Sequence, residues 1–302
     1  MNARSDWLSS PDYDIAKLAN CWCLKWTYER IHDSSMLLDI FERSQIPGCE
    51  NFVSWLRCCI FQQTTEFCIY SVPSTTGYFE KWNIGNFPPV SPELSTKAEV
   101  KVSNRDPLTV AGELHSQFNG GVFVLCAEYT LLQCYPYQEY PTDEHELLMR
   151  TDLHRYNRSM QQHYPLQTWE AVCINGVKVL RAGFVGGYAF LPNEDRFEIS
   201  VVTMPVGKCQ LFVNRTPDIH ARFLIKRKLK LIIDIALQNN AVALVIPCSN
   251  MFQTNPPHEV AAILKDVMSM YAGESIQRVV LCANDDTPNG RNNWDILKTM
   301  VG

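Results

Sequence analysis

The sequence predicts an α/β protein: a mixed, mainly parallel sheet covered by helices on both faces, preceded by a helical N-terminal region. Two observations carry that expectation. From residue 98 onward, short apolar strands alternate with stretches of helical periodicity, the pattern of parallel strands joined by crossover helices. Before it, residues 13 to about 72 show helical spacing only, and then the chain breaks at Asn86-Phe87-Pro88-Pro89-Val90-Ser91-Pro92. Three prolines in five residues fit neither a helix interior nor a central strand. The boundary therefore falls near residue 95, dividing a helical region 1–95 from an α/β domain 96–302.

Taken in order, the N-terminal region holds three periodic runs. Ile15, Leu18, Ala19, Trp22 and Trp26 form the first, Met36 to Phe41 begins the second, and Phe52, Trp55, Leu56, Cys59 and Ile60 form the third. Ala98 to Val102 alternates with period two, as a strand does. Asn104-Arg105-Asp106-Pro107 then gives an N-cap and a proline at the first helical position, opening a helix to about Gln117. Gly121–Ala127 reads as an apolar strand and 143–157 as a helix with an acidic head. Glu170–Ile174 and Val177–Leu180 flank Asn175-Gly176, the signal of a hairpin. A strand Phe197–Met204, a helix Pro217–Gln238, a strand Ala241–Ile246, a helix Pro257–Tyr271, a strand Arg278–Ala283 and a closing helix from Asn292 complete the chain. In such sheets ligands bind beyond the carboxyl ends of the strands, which points to the residues after Val102, Ala127, Met204 and Ile246.

Composition narrows the function classes. The 302 residues are 46% hydrophobic and 20% charged, as in an ordinary globular protein. A formal net charge of −5 argues against a dedicated nucleic-acid binder. The run Arg222, Lys226, Arg227, Lys228, Lys230 alternates with apolar residues and reads as the solvated face of an amphipathic helix. No apolar run is long enough to span a bilayer, and Met1 to Asp6 is followed by no apolar leader segment, so a cytoplasmic or nuclear setting without membrane contact is expected. The twelve cysteines include no Cys-x-x-Cys pair, and the seven histidines form no metal-spaced pair. Many of the cysteines stand in apolar runs and read as small buried hydrophobes. Neither a metal nor a cofactor is expected.

Chemistry concentrates in Asp143-Glu144-His145-Glu146-Leu147-Leu148-Met149-Arg150-Thr151-Asp152-Leu153, where carboxylates occupy the first turn of a helix. The helix dipole and unpaired N–H groups favour negative charge there, so a solvated acidic turn is the bland reading. The segment resembles the Gln-Glu-Glu-x-Leu-x-Arg-x-Thr-x-Leu signature of the microbial-type poly(ADP-ribose) glycohydrolases, a branch of the macrodomain superfamily. Further segments resemble the same family in the same order over about 98–300. They are Val102-x-Asn104-x-Asp106-x-Leu108, Val124-Leu125-Cys126-Ala127, Tyr164-Pro165-Leu166, Ile199 to Pro205, and Leu244 to Ala261.

The resemblance implies a macrodomain-like three-layer α/β/α fold over 96–302, and it implies roles for particular residues. Asp106 stands where the family's aspartate holds adenine, although Asp before Pro at a helix start is a cap in any case. Aligned on Arg150-Thr151-x-Leu153, the family's two adjacent glutamates fall on Glu144 and His145; a slip of one residue would bring in Glu146. Glu144 would position the ribose, with His145 or Glu146 assisting proton transfer. Cys126 replaces the asparagine that orients the distal ribose. Ser249, Asn250 and Phe252 would meet the diphosphate and distal ribose. The family's glycine-rich phosphate loops are absent: Leu131-Leu132-Gln133-Cys134-Tyr135-Pro136-Tyr137 has no glycine, and Pro247 to Asn255 has none either. Only glycine lets backbone approach a diphosphate at positive φ, so weak or lost hydrolysis with retained ADP-ribose recognition is the expected outcome. The expected partner is ADP-ribose or an ADP-ribosylated protein. Two alternatives stand beside this: a protein-interaction scaffold that binds no nucleotide, and an active poly(ADP-ribose) glycohydrolase.

Overall fold

The computed structural model describes residues 50–71, 78–83, 98–126, 143–156, 166–167, 169–205, 212–213, 216–248, 251, 255–270, 276–283 and 290–301. The first two periodic runs of the N-terminal region, and the loop at 131–137, lie outside the described residues.

Among the described residues the α-helices are α1 (Glu50–Ser71), α2 (Pro107–Phe118), α3 (Asp143–Arg150), α4 (Ile219–Gln238), α5 (Pro257–Met270) and α6 (Gly290–Val301). The strands are β1 (Phe79–Asn83), β2 (Glu99–Ser103), β3 (Val122–Cys126), β4 (Glu170–Val179), β5 (Phe197–Thr203), β6 (Phe212–Val213), β7 (Thr216–Pro217), β8 (Ala243–Pro247) and β9 (Arg278–Cys282). Seven of them form one sheet in the order β1-β4-β5-β3-β8-β9-β2, while β6 and β7 pair by themselves. β5, β3, β8, β9 and β2 run parallel; β4 is antiparallel to both β5 and β1. This is the mixed, mainly parallel sheet that the alternating pattern predicts.

Its central strands are buried on both faces. Phe123, Leu125, Leu244, Ile246, Val279 and Leu281 pack with α4, α5 and α6 through Ile232, Val260 and Leu297. Their neighbours Val122, Val124, Cys126, Ala243, Val245 and Val280 pack the other way, with Leu108 and Ala111 of α2 and Leu147 and Leu148 of α3. Side-chain alternation along each strand thus serves two helical layers, which is why these strands read as continuous apolar runs.

Three expectations need correction. First, Asn175-Gly176 does not turn a hairpin. β4 runs straight through it, and the ladder to β5 shifts by one residue between Ile174 and Val177. Gly176 takes φ 74°, so the Asn-Gly pair serves a β-bulge rather than a two-residue turn. The bulge is fixed by its surroundings: the Asn175 N–H donates to the Tyr78 carbonyl at 2.9 Å, and Ser200 Oγ donates to Asn175 Oδ1 at 2.6 Å.

Second, the acidic-headed helix stops at Arg150. The Leu180 and Arg181 N–H groups take the Arg150 carbonyl, Thr151 bridges to Val179, and a 3-10 turn over Leu153–Tyr156 replaces the last helical turns. Third, Lys228 does not lie on a solvated face. Arg222 and Lys226 pair outward with Glu259 and Asp266, but Lys228 is buried with its Nζ donating to the Pro205 carbonyl.

The region before residue 95 contributes to the same sheet, because β1 pairs with β4 along Phe79–Asn83. α1 is fastened to the rest by buried polar contacts. Thr64 Oγ1 donates to the Met149 carbonyl at 2.6 Å and accepts from Arg181 Nε at 2.8 Å, while Arg181 Nη2 donates to Gln63 Oε1 at 3.0 Å. Phe67 packs on Phe190 with ring centroids 4.3 Å apart and planes tilted by 33°, and the Arg181 guanidinium lies 3.5 Å from the centroid of the Phe190 ring.

Candidate functional site

β2 ends at Ser103, and three residues later Asp106 caps α2. Its Oδ1 accepts from the Leu108 N–H at 3.1 Å; its Oδ2 accepts from the Thr109 N–H at 3.1 Å and from Thr109 Oγ1 at 2.5 Å. Oδ2 also takes Arg150 Nη1 at 2.6 Å, a charge-assisted bond that joins the start of α2 to the end of α3. The Arg150 side chain is 2% exposed and the Asp106 side chain 26%. Burial alone would lift the Asp106 carboxyl, but Arg150, Thr109 and the Leu108 N–H together hold it below the ordinary range. Among the described residues, Oδ1 carries one hydrogen bond and retains acceptor capacity on the half-exposed side of the pair.

Glu146 stands one turn before Arg150, with Oε2 3.5 Å from the same Nη1. Its Oε1 accepts from the Tyr188 hydroxyl at 2.6 Å. Burial is the main cause that raises the Glu146 carboxyl, with Arg150 opposing it. The Tyr188 phenol is pushed up as well, by burial and then by the neighbouring Glu146 charge. Arg150 is raised: burial works against its charge, but Asp106 and Glu146 outweigh that.

The head of α3 is not a solvated acidic turn. Glu144 is 0% exposed and His145 1%, so the bland reading of this segment is overturned for both. The cause is how α3 seats: Leu147 and Leu148 go into the core against the sheet, and the Met149 carbonyl accepts from Thr64 of α1. Residues one turn earlier are carried inward with them.

Cys126 ends β3 with its side chain in the core beneath α2 and α3, beside Thr203 across the β3–β5 ladder. Ser249, Asn250 and Phe252 lie outside the described residues. The structure therefore joins Asp106 to Glu146 through Arg150 and places Glu144 and His145 at the buried head of the same helix. Among the described residues, no group of three or more His, Cys, Asp or Glu is gathered as a metal site, and no helix is long and apolar enough to cross a membrane.

Two further buried groups lie just past α3. Asp152 Oδ1 accepts from the Lys178 N–H at 2.8 Å, and burial raises this carboxyl to about 6. His154 is lowered to about 4, by burial first and then by Arg155.

Sequence reasoning passed over Arg150, Tyr188 and Gly183. Arg150 served there only to anchor the alignment, although a lone arginine in an apolar helix already calls for a buried anion. Gly183, Gly186 and Gly187 cluster as a tight turn does. Tyr188 meets Glu146 across 42 residues, and no local signal reveals that.

A seven-stranded, mainly parallel sheet between two helical layers is the architecture of a macrodomain-like α/β/α protein. Solved structures similar to it include poly(ADP-ribose) glycohydrolases of two organisms. The enzyme from Thermomonospora curvata matches over 81% of this chain and 98% of its own, with a TM-score of 0.62 and 14% identity. The same enzyme bound to the inhibitor ADP-HPD gives 0.60 over 80% and 98%, again at 14% identity. The Deinococcus radiodurans enzyme in complex with ADP-ribose gives 0.55 over 68% of this chain and 84% of its own, at 12% identity. At these identities the likeness establishes the fold. No protein-family model matches the sequence, and no curated protein sequence does.

Proposed function

We propose that this chain recognises ADP-ribose, free or attached to protein, with glycohydrolase activity weak or lost. The observation that carries the reading is the burial of Glu144 and His145 at the head of α3, 0% and 1% exposed. Withdrawing a carboxylate and an imidazole from water is costly, and a fold keeps such groups inside where they serve a site or a satisfied network. Two structural neighbours are described as bound to ADP-ribose or to ADP-HPD, which fits a nucleotide-sugar cleft on this scaffold. In this reading Asp106 Oδ1 accepts from the adenine amino group and Glu144 orients the ribose. Ser249, Asn250 and Phe252 meet the diphosphate and distal ribose.

Acid-assisted cleavage of a glycosidic bond needs a carboxyl placed to protonate the leaving oxygen and charge stabilisation of the developing oxocarbenium ion. Here an imidazole stands beside Glu144, and Glu146 is turned toward Arg150 and Tyr188. In this reading the second acidic position is where hydrolysis is weakened or lost. A release assay on automodified polymerase tests this. The wild-type protein is expected to bind the modified polymerase and release little or no ADP-ribose, and His145→Glu to raise release at least tenfold. Rapid wild-type release would overturn the loss of activity; failure to bind polymer or ADP-ribose would overturn the reading itself and favour a scaffold without a nucleotide.

A further inference from the structure

We propose that Glu146 and Tyr188 are positioning residues for the base end of this cleft: acting through Arg150, they set the orientation of the Asp106 carboxylate without touching the nucleotide. The inference rests on the ADP-ribose reading and assigns two residues that this reading leaves without a role.

The geometry is a chain of contacts. Arg150 Nη1 lies 2.6 Å from Asp106 Oδ2 and 3.5 Å from Glu146 Oε2, so one buried guanidinium corner is divided between two carboxylates. The other oxygen of Glu146 is taken by the Tyr188 hydroxyl at 2.6 Å. Tyr188 is itself held in an unusual conformation, with φ 53° directly after Gly187 at φ 59°. A bulky residue enters that region only where its surroundings hold it there. They do so here: Arg181 Nη1 donates to the Tyr188 carbonyl at 2.7 Å, and the Tyr188 N–H donates to the Gly183 carbonyl at 3.2 Å.

The turn is seated directly on the ion pair. A Cβ on Gly183 would stand 3.0 Å from Asp106 Oδ2 and 3.2 Å from Arg150 Nη1, so only glycine leaves the pair undisturbed. The groups that face one another are Arg150 and Glu146 on α3, Asp106 at the start of α2, Tyr188 in the turn, Arg57 on α1 and Arg181, whose guanidinium holds the Tyr188 carbonyl. When Glu146 takes a proton, Arg150 loses one of its two anions and turns wholly to Asp106. Oδ2 is then pulled harder, and the free acceptor side of Oδ1 turns with it. Burial raises the Glu146 carboxyl, so this event comes at a higher pH than in an ordinary glutamate.

The test is the affinity for ADP-ribose, adenosine and ribose between pH 5 and pH 8, for the wild type, Glu146→Gln and Tyr188→Phe. In the wild type, affinity for the two adenine ligands is expected to fall at least threefold toward pH 5, with ribose unaffected. Glu146→Gln should remove that limb for both adenine ligands. Tyr188→Phe, which deletes one hydroxyl that favours the ionised carboxylate, should move the limb to higher pH; it carries the test alone if Glu146→Gln does not fold. A limb unchanged in the variants, or shared by ribose, overturns the positioning role while leaving ADP-ribose binding intact. No binding of ADP-ribose at any pH overturns both.

Discussion

Asp152 and His154 sit two residues apart and titrate in opposite senses. Asp152 has a folded value of about 6 against an ordinary 3.8. Between those values the folded state holds a proton that the unfolded chain has released. The stability from this group is therefore fully present below about pH 4 and lost as pH rises through 6. His154 has a folded value of about 4 against an ordinary 6.5, so its contribution is present above 6.5 and lost as pH falls through 4. The two nearly cancel in the wild type. Asp152→Asn keeps an acceptor for the Lys178 N–H and removes the carboxyl's titration. The stability difference between variant and wild type, from urea unfolding, is expected to move in the variant's favour by about 3 kcal/mol from pH 4 to pH 7. A difference that stays constant across that range would contradict the assignment.

At the scale of elements, the bulge in β4 is the feature whose cost can be read most directly. Gly176 at φ 74° breaks the β4–β5 register so that both halves of β4 pair with β5. Gly176→Ala forces an L side chain into that region and is expected to lower stability by about 1–2 kcal/mol, measured by chemical unfolding. No loss would mean that the bulge relaxes at no cost. The same element shows why some of the fold was legible in sequence and some was not. β3 and β8 announce themselves, because strands buried on both faces need continuous apolar runs such as Val122-Phe123-Val124-Leu125-Cys126. α2 does too, because Asp106-Pro107 encodes its start locally. Asn175-Gly176 is ambiguous by nature: it supplies positive φ, which a hairpin and a bulge both require, and only the pairing of distant strands decides between them. The head of α3 could not be read as buried, since its acidic residues match a solvated first turn. Its burial follows from packing against α1 and the sheet.

For the molecule as a whole, the division at residue 95 has a direct consequence. A fragment beginning at 96 lacks β1, which covers the edge of β4, and lacks α1, which supplies Gln63 and Thr64 to the buried Arg181. Without α1 the Arg181 guanidinium loses its contacts with Thr64 and Gln63, and a bare strand edge invites association. The fragment is expected to be aggregated or unfolded by circular dichroism and size-exclusion chromatography, whereas the full chain is cooperative. A monomeric, folded fragment would show that the N-terminal region is a separate body.

The central claim is that a nucleotide-sugar cleft persists between α2 and α3 although the glycines that would wrap a diphosphate are missing. Calorimetric titration of the full chain with ADP-ribose tests it most directly. Saturable heat at a stoichiometry of one, weakened at least tenfold by Asp106→Ala in a variant that still folds, is the expected result. No heat and no thermal shift at millimolar ADP-ribose would contradict it.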